Sequence, residues 1–135
     1  MIKPQLPLRQ MVRELREHPS VQGKLDIAQS TSTLSLTAQS AGRPGDDCAV
    51  LPAQEGYDLF ACEGFINAFV QADPWFAGWC GVMVNISDIL SMGGRPRCVT
   101  NAIWAPSLEQ AQPVLAGMKA ASQAYDVPIV GGHTN

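Results

Sequence analysis

Val84-Asn85-Ile86-Ser87-Asp88-Ile89-Leu90-Ser91-Met92-Gly93-Gly94-Arg95-Pro96 decides how this chain is read. It lies in the most apolar part of the sequence, yet it carries Asn85, Ser87 and Asp88. On a helix, Asn85 and Asp88 are three residues apart and share a face. Gly93-Gly94 ends that helix and Pro96 keeps it from resuming. A carboxylate on a largely buried helix is costly unless it is paired, hydrogen-bonded or bound to a metal. Two readings therefore stand at this point: structural glue, or a site.

Upstream, Asp73-Pro74 is a strong helix start, an Asp cap followed by Pro at the first helical position. The predicted helix runs from there to about Met92, apolar nearly all round and so buried on several sides. Arg97–Trp104 follows as a strand, central in a sheet because its alternation is poor. Ser107-Leu108-Glu109-Gln110 is a capping box. It opens a helix to about Tyr125, with Leu108, Ala111, Leu115, Met118 and Tyr125 on the inner face. Pro113 implies a kink or a later start. Pro128-Ile129-Val130 reads as a short buried strand, left by a tight turn through Gly131-Gly132-His133-Thr134-Asn135.

Toward the N-terminus, Gly42-Arg43-Pro44-Gly45-Asp46-Asp47 is a turn-rich loop. Two strands follow, Cys48–Leu51 and Tyr57–Cys62, antiparallel across a tight connection. Glu63-Gly64 ends the second, and Phe65–Ala72 is a connecting segment. Leu8, Met11, Val12 and Leu15 recur at helical spacing and predict a helix over Leu8–His18. Ser20–Ala41 reads as a short strand, an ordered loop or a second helix from near Lys24. The expected class is α+β: a four-stranded mixed sheet with both major helices on one face. The other face of such a sheet must be covered by a partner or a second domain.

The 135 residues suit one domain with a real core. A net charge of −3, with no basic block, argues against sequence-independent nucleic-acid binding. The four cysteines form no C-x-x-C pair and read as buried free thiols of a reducing cytoplasm. Trp75–Met92 has the length of a membrane span, but Asn85, Asp88, Gly78 and Gly81 argue against one. No apolar signal segment precedes the first helix.

Four polar clusters sit at element ends: Gly45-Asp46-Asp47, Glu63-Gly64, Asn85 with Asp88, and Gly131-Gly132-His133-Thr134. Acidic oxygens converging from several elements are what Mg²⁺ requires. Glycines beside them expose backbone N–H groups to phosphate. The combination suggests a nucleoside-triphosphate site built without a P-loop, since neither phosphate-binding glycine motif occurs. The bland alternative makes Asp46 and Asp47 plain turn residues.

These clusters carry a resemblance. Gly45-Asp46-Asp47-Cys48-Ala49-Val50-Leu51 resembles the G-D-D-A-A-V motif of thiamine-monophosphate kinase and the hydrogenase-maturation protein HypE. Val84–Pro96 is similar to the N-x-S-D-x-x-x-M-G-A-x-P motif of that superfamily, and Ile129–Thr134 resembles its G-G-D-T motif. The ordered set spans Gly45 to Thr134. The superfamily is that of aminoimidazole ribonucleotide (AIR) synthase, and the nearest likeness is to AIR synthase-related proteins.

The resemblance implies a PurM-like N-terminal ATP-binding domain over residues 42–135, preceded by a helical and irregular segment over residues 1–41. It implies a homodimer whose sheets pair into a barrel-like core, and a C-terminal domain beyond this chain that helps enclose nucleotide and acceptor. ATP and Mg²⁺ are the implied cofactors, and phosphoryl transfer to, or activation of, a small-molecule acceptor is the implied chemistry. By carry-over, Asp46, Asp47 and Asp88 hold Mg²⁺, with Glu63 in place of the family's strand-ending Asp. Gly45, Gly131 and Gly132 lie toward the nucleotide phosphates, and Asn85 orients the acidic cluster or contacts phosphate. His133 stands where the family has Asp, and neutral imidazole is a poor Mg²⁺ ligand. The alternative is a non-catalytic nucleotide-binding or dimerisation module, with Glu63 and His133 marking loss of turnover.

Overall fold

The computed structural model describes residues 7–19, 21–22, 31–34, 40–42 and 45–135. Helices α1 (Leu8–Glu17), α2 (Asn67–Ala72), α3 (Pro74–Ser91) and α4 (Leu108–Tyr125) combine with strands β1 (Ala49–Pro52), β2 (Tyr57–Phe60), β3 (Val99–Ile103) and β4 (Ile129–Thr134). The chain divides into two compact units, Met1–Asp46 with Val50–Tyr57, and Asp47–Ala49 with Asp58–Asn135.

In the first unit, α1 forms over nearly the span its periodicity predicts. Its apolar stripe is exposed: Leu8, Met11, Val12 and Leu15 all face solvent. Within Ser20–Ala41 the described residues include a helical turn at Val21 and Gln22, whose N–H groups both reach the His18 carbonyl, and a 3₁₀ turn at Ser32–Leu34. The strand or helix expected there falls mostly outside the described residues. The Ser40 hydroxyl accepts from the Gly42 and Val50 N–H groups, each at 3.2 Å.

The second unit is organised by α3 and α4. Asp73 caps α3 by accepting from the Phe76 N–H at 3.0 Å, with Pro74 in the first turn. At the other end the Gly94 N–H reaches the Ile89 carbonyl at 2.9 Å and the Gly93 N–H the Leu90 carbonyl at 3.0 Å. Gly93 adopts φ +76°. This is the paired bonding of a Schellman stop, which needs a left-handed residue where only glycine is unstrained. Ser107 caps α4 through the Gln110 N–H, and the helix runs unbroken past Pro113 to Tyr125.

The two helices touch through glycines. A side chain at Gly78 would strike the Val114 carbonyl, and one at Gly117 the Trp75 carbonyl. Val82, Ile86, Met118, Ala121 and Val127 form the core beneath, with Val99, Ile103 and Ile129 of the strands packed against it. Leu108 and Tyr125, expected on the inner face of α4, are instead exposed. Small residues at the crossing bring the backbones close, while Leu108 and Tyr125 lie at the two ends of α4, away from it.

The expected single four-stranded sheet is not what the described residues form. The strands make two sheets, β1 with β2 and β3 with β4. Strand pairing is non-local, and four-residue strands carry little register information of their own. β3 and β4 are parallel, joined by the α4 crossover that parallel neighbours require. β3 alternates half-buried and exposed residues, so it is open on one face rather than central. The expected turn at Gly131-Gly132 is also corrected. Both residues lie in β4, paired with Thr100 and Asn101, because ladder hydrogen bonds hold them extended. Of the cysteines, all free, Cys48 and Cys80 are buried as expected, while Cys62 and Cys98 are exposed. Among the described residues no helix is long and apolar enough to cross a membrane.

Candidate functional site

The Schellman stop fixes where α3 ends, and that end holds the polar residues singled out above. Asp88 is half-buried in the last turn. Ser91, one turn on, is exposed, and its hydroxyl lies 2.8 Å from the Asp88 carbonyl oxygen. The same hydroxyl lies 2.5 Å from Asp47 Oδ2, across 44 positions of sequence. An O–H to carboxylate bond this short is of the strong, charge-assisted kind. The loop carrying Asp47 is thereby tied to the C-terminal turn of α3.

Cys48 lies within the electrostatic reach of both carboxylates. It is buried, and burial pushes its thiol pKa up. The carboxylates of Asp88 and Asp47 push it further in that direction. Both negative charges therefore act on one thiol. The sequence placed these two residues in separate motifs, and the fold brings them to one end of one helix.

The other candidates are placed differently. One N–H of the Asn85 amide donates to the Gly81 carbonyl at 2.8 Å, so part of its donor capacity is committed to its own helix. Ser87 likewise bonds back to the Met83 carbonyl at 3.0 Å. Gly45, with φ +100°, and exposed Asp46 precede Asp47 in the chain. Glu63 is exposed in the irregular stretch between β2 and α2. Among the described residues no three His, Cys, Asp or Glu side chains are grouped to hold a metal ion.

On β4, Gly131 has open space where a Cβ would stand. Gly132, at φ +156°, has none, because the carbonyl and the side-chain oxygen of Asn101 occupy it. His133 lies beside Trp104, ring centres 6.1 Å apart. Gly131 therefore leaves room for a ligand to approach its backbone, whereas Gly132 is a packing requirement. Ser91, Asn101 and Trp104 are not among the site residues the sequence suggests. Ser91 had one signal, its position one turn after Asp88; the other two depend on strand register.

Oxygen donors suit a hard cation, and Asp47 with Asp88 offers two carboxylates of that kind. Mg²⁺ is usually held by one or two carboxylates, with waters and substrate phosphates filling its remaining positions. The residues present fit that mode, not an all-protein cage.

Comparison with known proteins places residues 45–135 in a match to the profile described as AIR synthase related protein, N-terminal domain. An uncharacterized protein of Synechocystis is 58% identical over 93 residues, covering 69% of this chain and 29% of that protein. An uncharacterized protein of Methanocaldococcus jannaschii is 33% identical over 95% of this chain and 41% of its own length. A thiamine-monophosphate kinase of Synechococcus elongatus is 31% identical over 68% of this chain and 31% of the kinase. The chain thus spans well under half the length of these relatives. No solved structure matches it significantly.

Proposed function

The chain belongs to the AIR synthase-related family, and from that premise we propose that it is the Mg²⁺–ATP-binding part of an enzyme that phosphorylates or activates a small acceptor. The observation carrying this reading is the meeting of two acidic motifs. Asp47 is tied to Ser91, one turn beyond Asp88, and both carboxylates act on Cys48. In the proposed role Asp47 and Asp88 contribute oxygens to Mg²⁺ and the open backbone at Gly131 faces phosphate. Bound Mg²⁺ supplies neutralisation of phosphate charge. The chain's own part is positioning, which is most of what a protein contributes to phosphoryl transfer. Asp46 and Glu63 are secondary candidates in the same role. The kinase named among the relatives supports a phosphoryl-transfer chemistry, and the acceptor is unassigned.

The open face of β3 and β4, with Trp104 70% exposed, supports a second copy completing the sheet into a barrel-like homodimer. The non-catalytic alternative, a nucleotide-binding or dimerisation module, is favoured by one observation: His133 rests beside Trp104, at a position the family pattern gives to Asp.

Calorimetric titration of the chain with ATP, with and without Mg²⁺, tests the proposal. Saturable binding that requires Mg²⁺ and is lost in Asp47→Asn and Asp88→Asn is the expected result. Equal binding by both variants overturns it. ADP release by the full-length protein then separates enzyme from module.

A further inference from the structure

Ser91 stands at a position the Val84–Pro96 motif leaves unspecified, and its hydroxyl ties Asp47 to the turn that carries Asp88. We propose that Ser91 is a positioning residue that holds Asp47 as a one-oxygen ligand for a divalent cation; this rests on the reading of Asp47 and Asp88 as cation ligands. Asp47 is exposed on a glycine-flanked loop, where an untethered carboxylate samples many orientations. The Ser91 hydroxyl engages Oδ2 at 2.5 Å, so Oδ1 is the oxygen this bond does not take. Ser91 is fixed in turn by its place in the last turn of α3, and the Asp88 carbonyl oxygen at 2.8 Å is the competing acceptor for its one proton. One side chain therefore registers the Asp47 loop against the turn that carries Asp88.

Two consequences separate this role from simple loop stapling. A hydrogen bond that takes one carboxylate oxygen disfavours two-oxygen chelation, which large Ca²⁺ accepts readily and small octahedral Mg²⁺ does not need. Removing a partner that orients a metal ligand typically costs 10–100-fold in metal affinity. Ser91→Ala should therefore weaken Mg²⁺ and narrow the preference for Mg²⁺ over Ca²⁺, while nucleotide contacts made without metal are untouched.

The test is titration of Mg²⁺, and separately Ca²⁺, into the full chain at a fixed concentration of a fluorescent N-methylanthraniloyl derivative of ATP, followed by the fluorescence of that probe. Wild type, Ser91→Ala, Ser91→Thr and Asp47→Asn are compared, with melting temperatures recorded for each. The expected result is a Mg²⁺ requirement raised about tenfold in Ser91→Ala, with a smaller rise for Ca²⁺ and recovery in Ser91→Thr, whose hydroxyl can remake the bond. Ser91→Ala behaving as wild type while Asp47→Asn loses Mg²⁺ dependence overturns the Ser91 role and leaves the cation site standing. Absence of Mg²⁺ dependence in wild type and every variant overturns the cation site and the Ser91 role together. A melting-temperature drop in Ser91→Ala with unchanged Mg²⁺ and Ca²⁺ requirements makes the bond a staple only, and also overturns the proposal.

Discussion

The two halves of α3 are built on different rules. Its first half is a steric fit: Gly78 lies so close to Val114, and Trp75 so close to Gly117, that no side chain could replace either hydrogen. Its second half keeps Ile86 in the core but also carries the helix's polar side chains. Asn85 and Ser87 bond back into their own helix, and Ser91 reaches out to Asp47. The packed half is rigid because its partners are backbone carbonyls, which cannot swing aside. The polar half can be adjusted one side chain at a time. A site mounted this way takes its precision from the helix crossing and its chemistry from the last turn.

Breaking the packed half should have the largest effect. Gly117→Leu sets a side chain into the Trp75 carbonyl, and a loss of about 3 kcal/mol or more is expected, at or beyond the upper end for overpacking; urea unfolding measures it. Gly131→Ala, with open space around it, should stay within about 0.5 kcal/mol, as an ordinary surface change does. Equal losses at the two positions would erase the contrast.

Next comes the polar half. Asp88→Asn should cost on the order of 100-fold in Mg²⁺-dependent ATP binding, about 2.7 kcal/mol, with little change in unfolding midpoint. A large midpoint shift instead would move Asp88 from site to scaffold. Smaller again is the cap at the other end of the helix. Asp73→Ala removes the acceptor for the Phe76 N–H and should cost about 1 kcal/mol, by the same urea measurement, without altering ATP binding.

The smallest effect is one of rates. Iodoacetamide at mildly alkaline pH should label Cys62 and Cys98 first, and Cys48 late. Cys48 is buried, and its raised pKa leaves less reactive thiolate at any given pH. Neutralising Asp47 or Asp88 removes a negative charge, lowers that pKa and should quicken labelling. Mass spectrometry of the labelled chain reads the order.

Local chemistry was legible in the sequence wherever a residue acts on its immediate neighbours. The caps at Asp73 and Ser107, the stop at Gly93-Gly94 and the span of α1 all follow from contacts within one turn, which the order of residues fixes. The family was legible for a related reason, because its motifs are short and keep their order. Partners far apart in the chain were settled only by the folded chain. The sheets divided two and two because register depends on what packs across the strands. Gly131 and Gly132 became strand, not turn, because β3 supplied partners for their backbone. Ser91 met Asp47 because the α3–α4 crossing and the Schellman stop set the direction of one hydroxyl, and no spacing rule spans the 44 positions between them.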